Sequence, residues 1–214
     1  MNDMTFTEAE RNAVYKAIEL RRDMRHFNGK QIPEKIFGKL INAAHLAPSV
    51  GLMEPWRFIR ITDAHVRKEI HDIVEQERIQ TARALGERED EFLSLKVEGI
   101  MDCSEVLVAA LPDKRQKHIF GRRTLPEMDL ASLSCAIQNM WLAARVENIG
   151  LGWVSLFDPP QIKQLLGMPE GSHPVAILCV GYTDKFYDEP MLQEENWAKR
   201  TAWENKIMTN RWID

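Results

Sequence analysis

The stretch "MDLASLSCAIQNMWLAARVENIG", residues 128–150, constrains the fold more than any other. From Leu130 to Val146 it carries one charge, Arg145, and its apolar residues fall on almost every face of the helix predicted over 129–149, with Asp129 as its cap. A helix apolar all round is buried on more than one side. This one is too short and too polar at its ends to cross a bilayer. The rest of the chain must therefore be built around it, as a core helix or as a subunit interface.

The flanking segments supply the remaining elements. "TEAERNAVYKAIELRR" opens with Thr7 and Glu10 at capping-box spacing and predicts a helix ending near Arg21, with a narrow stripe of Val14, Ala17 and Ile18. "IPEKIFGKLINAAHLAPS" predicts a helix begun by Pro33 and stopped by Pro48. Residues 64–101 read as two charged surface helices split near Gly86. "WRFIRIT", "EVLVAAL", "GLGWVSLF" and "HPVAILCVGY" read as strands, the second an uninterrupted apolar run suited to a central position. "PPQIKQLLGMP" is a short helix, and the basic stretch 112–127 is a long loop. After Tyr182 no apolar face repeats, yet three tryptophans remain, so the tail is expected to bury its aromatics on a partner subunit. The expectation is an α+β fold: a mixed sheet of about four strands flanked by helices in residues 1–184, and a C-terminal arm, 185–214, exchanged in a homodimer.

Composition narrows the function. At 214 residues the chain fits one domain, and a net charge of −4 argues against nucleic acid as its main partner. No apolar run reaches the roughly 20 residues of a membrane span, and the polar N-terminus lacks a signal peptide's apolar stretch, so a cytoplasmic location is expected. Cys103, Cys135 and Cys179 are widely spaced in apolar surroundings and read as buried thiols. His65 and His71, six apart, fall on different helix faces, and no metal site is expected.

Basic residues gather at "RRDMR" (21–25), "GRR" (121–123) and "KR" (199–200). Each is either a solvated charge group or part of a phosphate site, where the planar fork of arginine binds bidentately. Asp23, inside the first cluster, is either an ion-pair partner that neutralises it or a functional carboxylate. The glycines of "GLGW" do not open a helix, so they form no dinucleotide fingerprint. "HLAPSVGLMEPWRF" is a punctuated loop that closes over a planar ring or is a plain turn.

"RRDMRHF", "AAHLAPSVGLMEPWRFI", "GRRTLPEMDLASLSCAIQNMWLAARVENIGLGWVSLFDP" and "VAILCVGYTDKF" together resemble the nitroreductase-like FMN flavoproteins. More narrowly, they resemble the branch that makes 5,6-dimethylbenzimidazole, and the likeness runs from about Arg11 to Arg200. It implies a homodimer with FMN sites lined by both subunits. Arg21, Arg22, Arg25 and Arg200 would hold the FMN phosphate and ribityl chain; Lys96 and Trp153 would contact the flavin, and Pro48 and Ser49 would come from the partner. Glu54, Arg57 and Ala198 depart from the family pattern.

In that branch reduced FMN is the substrate. With O2 it is fragmented to dimethylbenzimidazole and erythrose 4-phosphate, and a separate flavin reductase supplies it. The resemblance gives Asp23 the part of general base beside the ribityl chain and Ser155 that of a hydrogen-bonding hydroxyl by the ring. A conventional NAD(P)H-dependent nitroreductase or flavin reductase, and a non-catalytic flavin carrier, are the rival readings.

Overall fold

The computed structural model describes residues 4–212. In chain order it contains α1 (Glu8–Leu20), α2 (Glu34–His45), β1 (Arg57–Ile61), α3 (Ala64–Leu85), α4 (Glu89–Ser94), β2 (Glu105–Leu111), α5 (Met128–Val146), β3 (Gly150–Val154), α6 (Pro159–Leu165), β4 (His173–Gly181) and α7 (Met191–Glu194). The sheet order is β1-β2-β4-β3 and every pairing among the four strands is antiparallel. The only parallel element among the described residues is an isolated bridge between Asp23 and Leu151, so the sheet is mixed only at that point.

Both faces of the sheet are covered, which is why β2 reads as an unbroken apolar run. Leu107, Ala109 and Leu111 join Ala176, Leu178 and Val180 of β4 under α2 and α5. The alternate residues Val106 and Val108 join Ile177 and Cys179 under Ile70 and Val74 of α3 and Ile162 of α6. The result is three layers with two cores.

In α5, Leu133, Ala136, Ile137, Met140 and Ala144 are fully buried. Its other face holds Cys135 and Val146, which are exposed on the single chain, as is Leu130 in the first turn. The helix is thus a core helix on one side and an uncovered apolar surface on the other. Cys135 corrects the expectation of three buried thiols: it lies four residues after Ala131 and three before Gln138, on the turned-away face. α1 keeps its capping box, with Thr7 and Glu10 bonded reciprocally, but buries no residue.

The basic loop before α5 has a structural purpose. Asp129 is not the cap of α5, whose N-cap is Glu127. It is instead a buried carboxylate, 2% exposed, held at 2.7 Å by both Arg115 and Arg122. Arg122 also donates to the carbonyls of Pro126, His118 and Arg115. A buried charge without such partners is strongly unfavourable, so this ion pair organises the loop and commits Arg122 of "GRR" to Asp129.

Where α1 ends, the chain turns extended and lies along the edge strand β3. The approach is close at Gly152, where an added Cβ would stand 2.2 Å from the Met24 carbonyl oxygen. Gly38, in the middle of α2, has no atom within 4 Å of such a Cβ. Gly152→Ala should therefore destabilise the fold by about 1–3 kcal/mol through overpacking. Gly38→Ala should stabilise it by about 0.5–1 kcal/mol through helix propensity. Urea denaturation of both variants checks the pair, and equal effects would contradict the packing described.

Candidate active site

The extended segment after α1 is fixed to β3 by main chain and side chain together. The Met24 N–H donates to Leu151 O at 3.0 Å, and the Trp153 N–H donates to Asp23 Oδ1 at 2.9 Å. Arg25 closes the arrangement: its two terminal nitrogens stand 2.5 Å from the two carboxylate oxygens of Asp23, and one also donates to Trp153 O at 3.0 Å. The Arg25 side chain is 10% exposed, whereas that of Asp23 is 42% exposed. Both readings of Asp23 therefore meet in one geometry. It is the ion-pair partner of a residue two positions on, and it still opens outward.

It opens into a cavity of about 300 Å³. One end is cationic, formed by Arg21, Arg22 and Arg25, and the walls are apolar, including Phe92, Leu95, Trp153, Leu192 and Trp197. Ser155, just past the end of β3, lines the same cavity and its hydroxyl has no hydrogen-bond partner among the described residues.

The arginines are only partly used. Arg22 donates to the carbonyls of Glu19 at 2.7 Å and Asp188 at 2.6 Å, but its Nε is buried without a partner, as is that of Arg25. Arg21 lies over the Trp141 ring, 4.6 Å from its centroid. Burial, above all, pulls the Arg21 guanidinium below its ordinary pKa; Asp23 opposes this, while the positive fields of Arg200 and Arg22 add to it. Arg200 of the tail does not line the cavity, but its positive field reaches Arg21 at the end of α1 together with that of Arg22. Buried, unpartnered N–H groups among like charges are what a dianionic phosphate would satisfy. The apolar walls and the single carboxylate suit the remainder of a flavin mononucleotide, so the residues present fit FMN.

Other expected site residues lie elsewhere on the single chain. Pro48 and Ser49 follow α2 in an outward loop that does not line the cavity; Ser49 Oγ accepts the Glu54 N–H at 3.0 Å, and Gly51, Leu52 and Glu54 all have positive φ. Lys96 sits between the wall residues Leu95 and Val97, but its ammonium pairs with Asp102 at 2.6 Å. The departures Glu54 and Arg57 are also turned to their own loop: Arg57 donates to Trp56 O at 2.7 Å.

Sequence reasoning missed the wall from α4 and the tail. Phe92 and Leu95 lie in a stretch dominated by charge, and Trp197 stands alone in "EENWAKR". Trp197 packs on Phe92 and under Arg88, whose guanidinium carbon is 3.4 Å from its centroid. A lone aromatic in a polar tail was the available signal. Among the described residues one group has metal-ligand geometry: His71, Glu75 and Glu98, with ligand atoms within 4.8 Å. Its members do not line the cavity. The partners of His71 there are carboxylates, not His65, which pairs with Glu69.

The model of the nitroreductase family matches residues 18–182. The 5,6-dimethylbenzimidazole synthase of Rhodobacter capsulatus is 34% identical over 95% of this chain and 100% of its own length. That of Rhodospirillum rubrum is 36% identical over 91% and 93%. Among solved structures, iodotyrosine deiodinase bound to FMN and 3-iodo-L-tyrosine superposes with a TM-score of 0.72 at 18% identity, covering 93% of this chain and 100% of the other. The chain belongs to the nitroreductase family and, within it, groups with the 5,6-dimethylbenzimidazole synthases.

Proposed function

We propose that this protein converts reduced FMN and O2 to 5,6-dimethylbenzimidazole, the lower-ligand base of cobalamin, releasing erythrose 4-phosphate. The observation that carries this reading is Asp23: an accessible carboxylate, held bidentate by Arg25, at the cationic end of an apolar cavity. The relatives named 5,6-dimethylbenzimidazole synthase support it over nearly the whole chain.

When bound, reduced FMN supplies the electrons for O2 and the carbon skeleton of the product. Arg21, Arg22 and Arg200 bind the phosphate and so orient the ribityl chain toward Asp23. Asp23 Oδ1 is occupied by the Trp153 N–H and by Arg25, whereas Oδ2 meets only Arg25. Oδ2 therefore keeps a lone pair for a proton and is the general base. The Ser155 hydroxyl, uncommitted in the fold, donates to the ring system. Phe92, Leu95 and Trp197 exclude water from the apolar end. A separate flavin reductase delivers the substrate already reduced.

The working unit in this reading is a homodimer. Support comes from apolar surface left uncovered on the single chain: Val14 and Ile18 of α1, Leu130 and Val146 of α5, and Trp203, Ile207 and Trp212 of the arm. In such a dimer, as the family resemblance implies, Pro48 and Ser49 of one protomer would stand beside the flavin of the other; Lys96 would lie near the ribityl chain or ring edge.

Mass spectrometry of wild type supplied with reduced FMN in air should show FMN consumed and dimethylbenzimidazole formed. Recovery of intact FMN with NADPH turnover on a nitroaromatic acceptor would replace this reading with the reductase. Asp23→Asn should bind FMN and lose product by a factor of about 10² or more; equal product from both would remove Asp23 as base. Ser155→Gly should slow product formation and return more FMN oxidised and intact.

Arg21→Ala and Arg200→Ala should each weaken FMN binding by roughly tenfold to a hundredfold, because each removes a charge-assisted hydrogen bond to the phosphate worth about 1.5–3 kcal/mol. Fluorescence titration reads this directly. Sedimentation should give a dimer. Truncation after Asp184 takes away the wall residues Leu192 and Trp197 together with Arg200, and should abolish FMN binding. A stable FMN-binding monomer would overturn the dimeric site.

A further inference from the structure

The tail between β4 and α7 is stitched to the extended segment that carries Asp23. The Asn28 N–H donates to Tyr182 O at 3.0 Å, and Asn28 Nδ2 donates to Asp184 Oδ1 at 3.0 Å. Arg22 Nη2 donates to Asp188 O at 2.6 Å. Between these ties stands Tyr187. Its hydroxyl oxygen accepts the Arg25 N–H at 3.3 Å and lies 2.6 Å from His26 Nδ1, with the two rings edge-to-face at 88°. The hydroxyl, with two lone pairs and one proton, serves the Arg25 N–H as acceptor and meets His26 Nδ1 as donor or acceptor according to the His26 tautomer. Burial raises the Tyr187 phenol above its ordinary pKa, so that proton is retained.

Tyr187 joins two parts of the site. On one side is the backbone of Arg25, whose guanidinium grips both oxygens of Asp23. On the other the chain runs on at once to Pro190, Met191, Leu192 and Trp197, which wall the cavity. Around the phenol the charged groups are already engaged: Lys185 with Asp188 at 2.6 Å, Glu194 with the Glu189 N–H at 2.9 Å, and Asp184 with Asn28. None of them takes the place of His26 at the phenol.

We infer that Tyr187, held by His26, is a positioning residue for the reaction: its hydroxyl sets the Arg25–Asp23 pair in register with the cavity and anchors the wall from Pro190 to Trp197. It acts through Arg25 and never touches the reacting atoms. The inference rests on Asp23 being the proton acceptor in flavin fragmentation. A carboxylate displaced by an ångström from its proton costs up to about a hundredfold in rate.

Tyr187→Phe removes a single oxygen. It should lower kcat for dimethylbenzimidazole formation by roughly tenfold to a hundredfold. The dissociation constant for FMN should stay within about threefold, because the phosphate arginines are untouched. His26→Ala should reproduce the kcat loss, and His26→Gln, which retains a hydrogen-bonding group, should recover most of it. A merely structural role predicts a lower Tm with kcat unchanged, and that result would overturn the inference, as would equal kcat in His26→Ala and wild type. Should Tyr187→Phe not fold, the two His26 variants carry the test alone. Product from wild type and unchanged kcat in every variant would sink the positioning role while leaving the enzyme assignment standing. No product from wild type would remove both.

Discussion

The docking of residues 21–25 along β3 holds the functional half of this molecule together. It consists of the Met24 N–H on Leu151 O, the Trp153 N–H on Asp23, the paired Asp23–Arg25 bonds, and Arg25 on Trp153 O. An edge strand leaves its outward N–H and C=O groups unpaired and is a liability unless covered. Here the chain itself covers the edge, and it does so with the segment that carries the cations. The same bonds that satisfy the sheet edge thus aim a carboxylate and three arginines at one cavity. Without a side chain at Gly152 the Met24 carbonyl reaches the strand; any larger residue would hold the segment off and dissolve the site.

The layers of the fold were legible because their residues repeat. The continuous apolar run of β2 required cover on both faces and has it, from α2 and α5 on one side and from α3 and α6 on the other. The all-round apolar character of α5 allowed a core helix or an interface, and the structure shows a core face backed by an exposed apolar one. Those two properties were never alternatives, which is why periodicity could not choose between them. Asp129 and Cys135 depart from expectation for the same reason. Sequence spacing says which residues share a face but not which neighbour that face meets.

Read from the residues alone, the site was legible only where charge was concentrated; Trp153 and Ser155 came from the family resemblance. "RRDMR" supplies Arg21, Arg22 and Arg25 to the cavity, whereas in "GRR", equally basic, Arg122 is taken up by the buried Asp129. Nothing in the two basic strings distinguishes them; the difference is a carboxylate seven residues beyond Arg122 that happens to be buried. The apolar wall was hidden for the opposite reason. Phe92, Leu95 and Trp197 have no repeating partners in sequence and meet only because α4 and the tail pack across each other.

An ion-paired aspartate at first argues against a base, since an exposed pair of this kind is usually worth about 0–1 kcal/mol and has no further task. The asymmetry of this pair points the other way. Arg25 is nearly buried, ties both oxygens of Asp23 and a backbone carbonyl, and still has an unpartnered Nε, so its position is set by the fold, not by Asp23. Asp23 is the more exposed member, and the backbone N–H of Trp153 fixes one of its oxygens independently. A carboxylate whose orientation is determined twice over, while one oxygen keeps a free lone pair toward a cavity, loses little freedom when a proton arrives. That is the arrangement expected of a preorganised acceptor, and a surface ion pair formed only for charge balance would not need it.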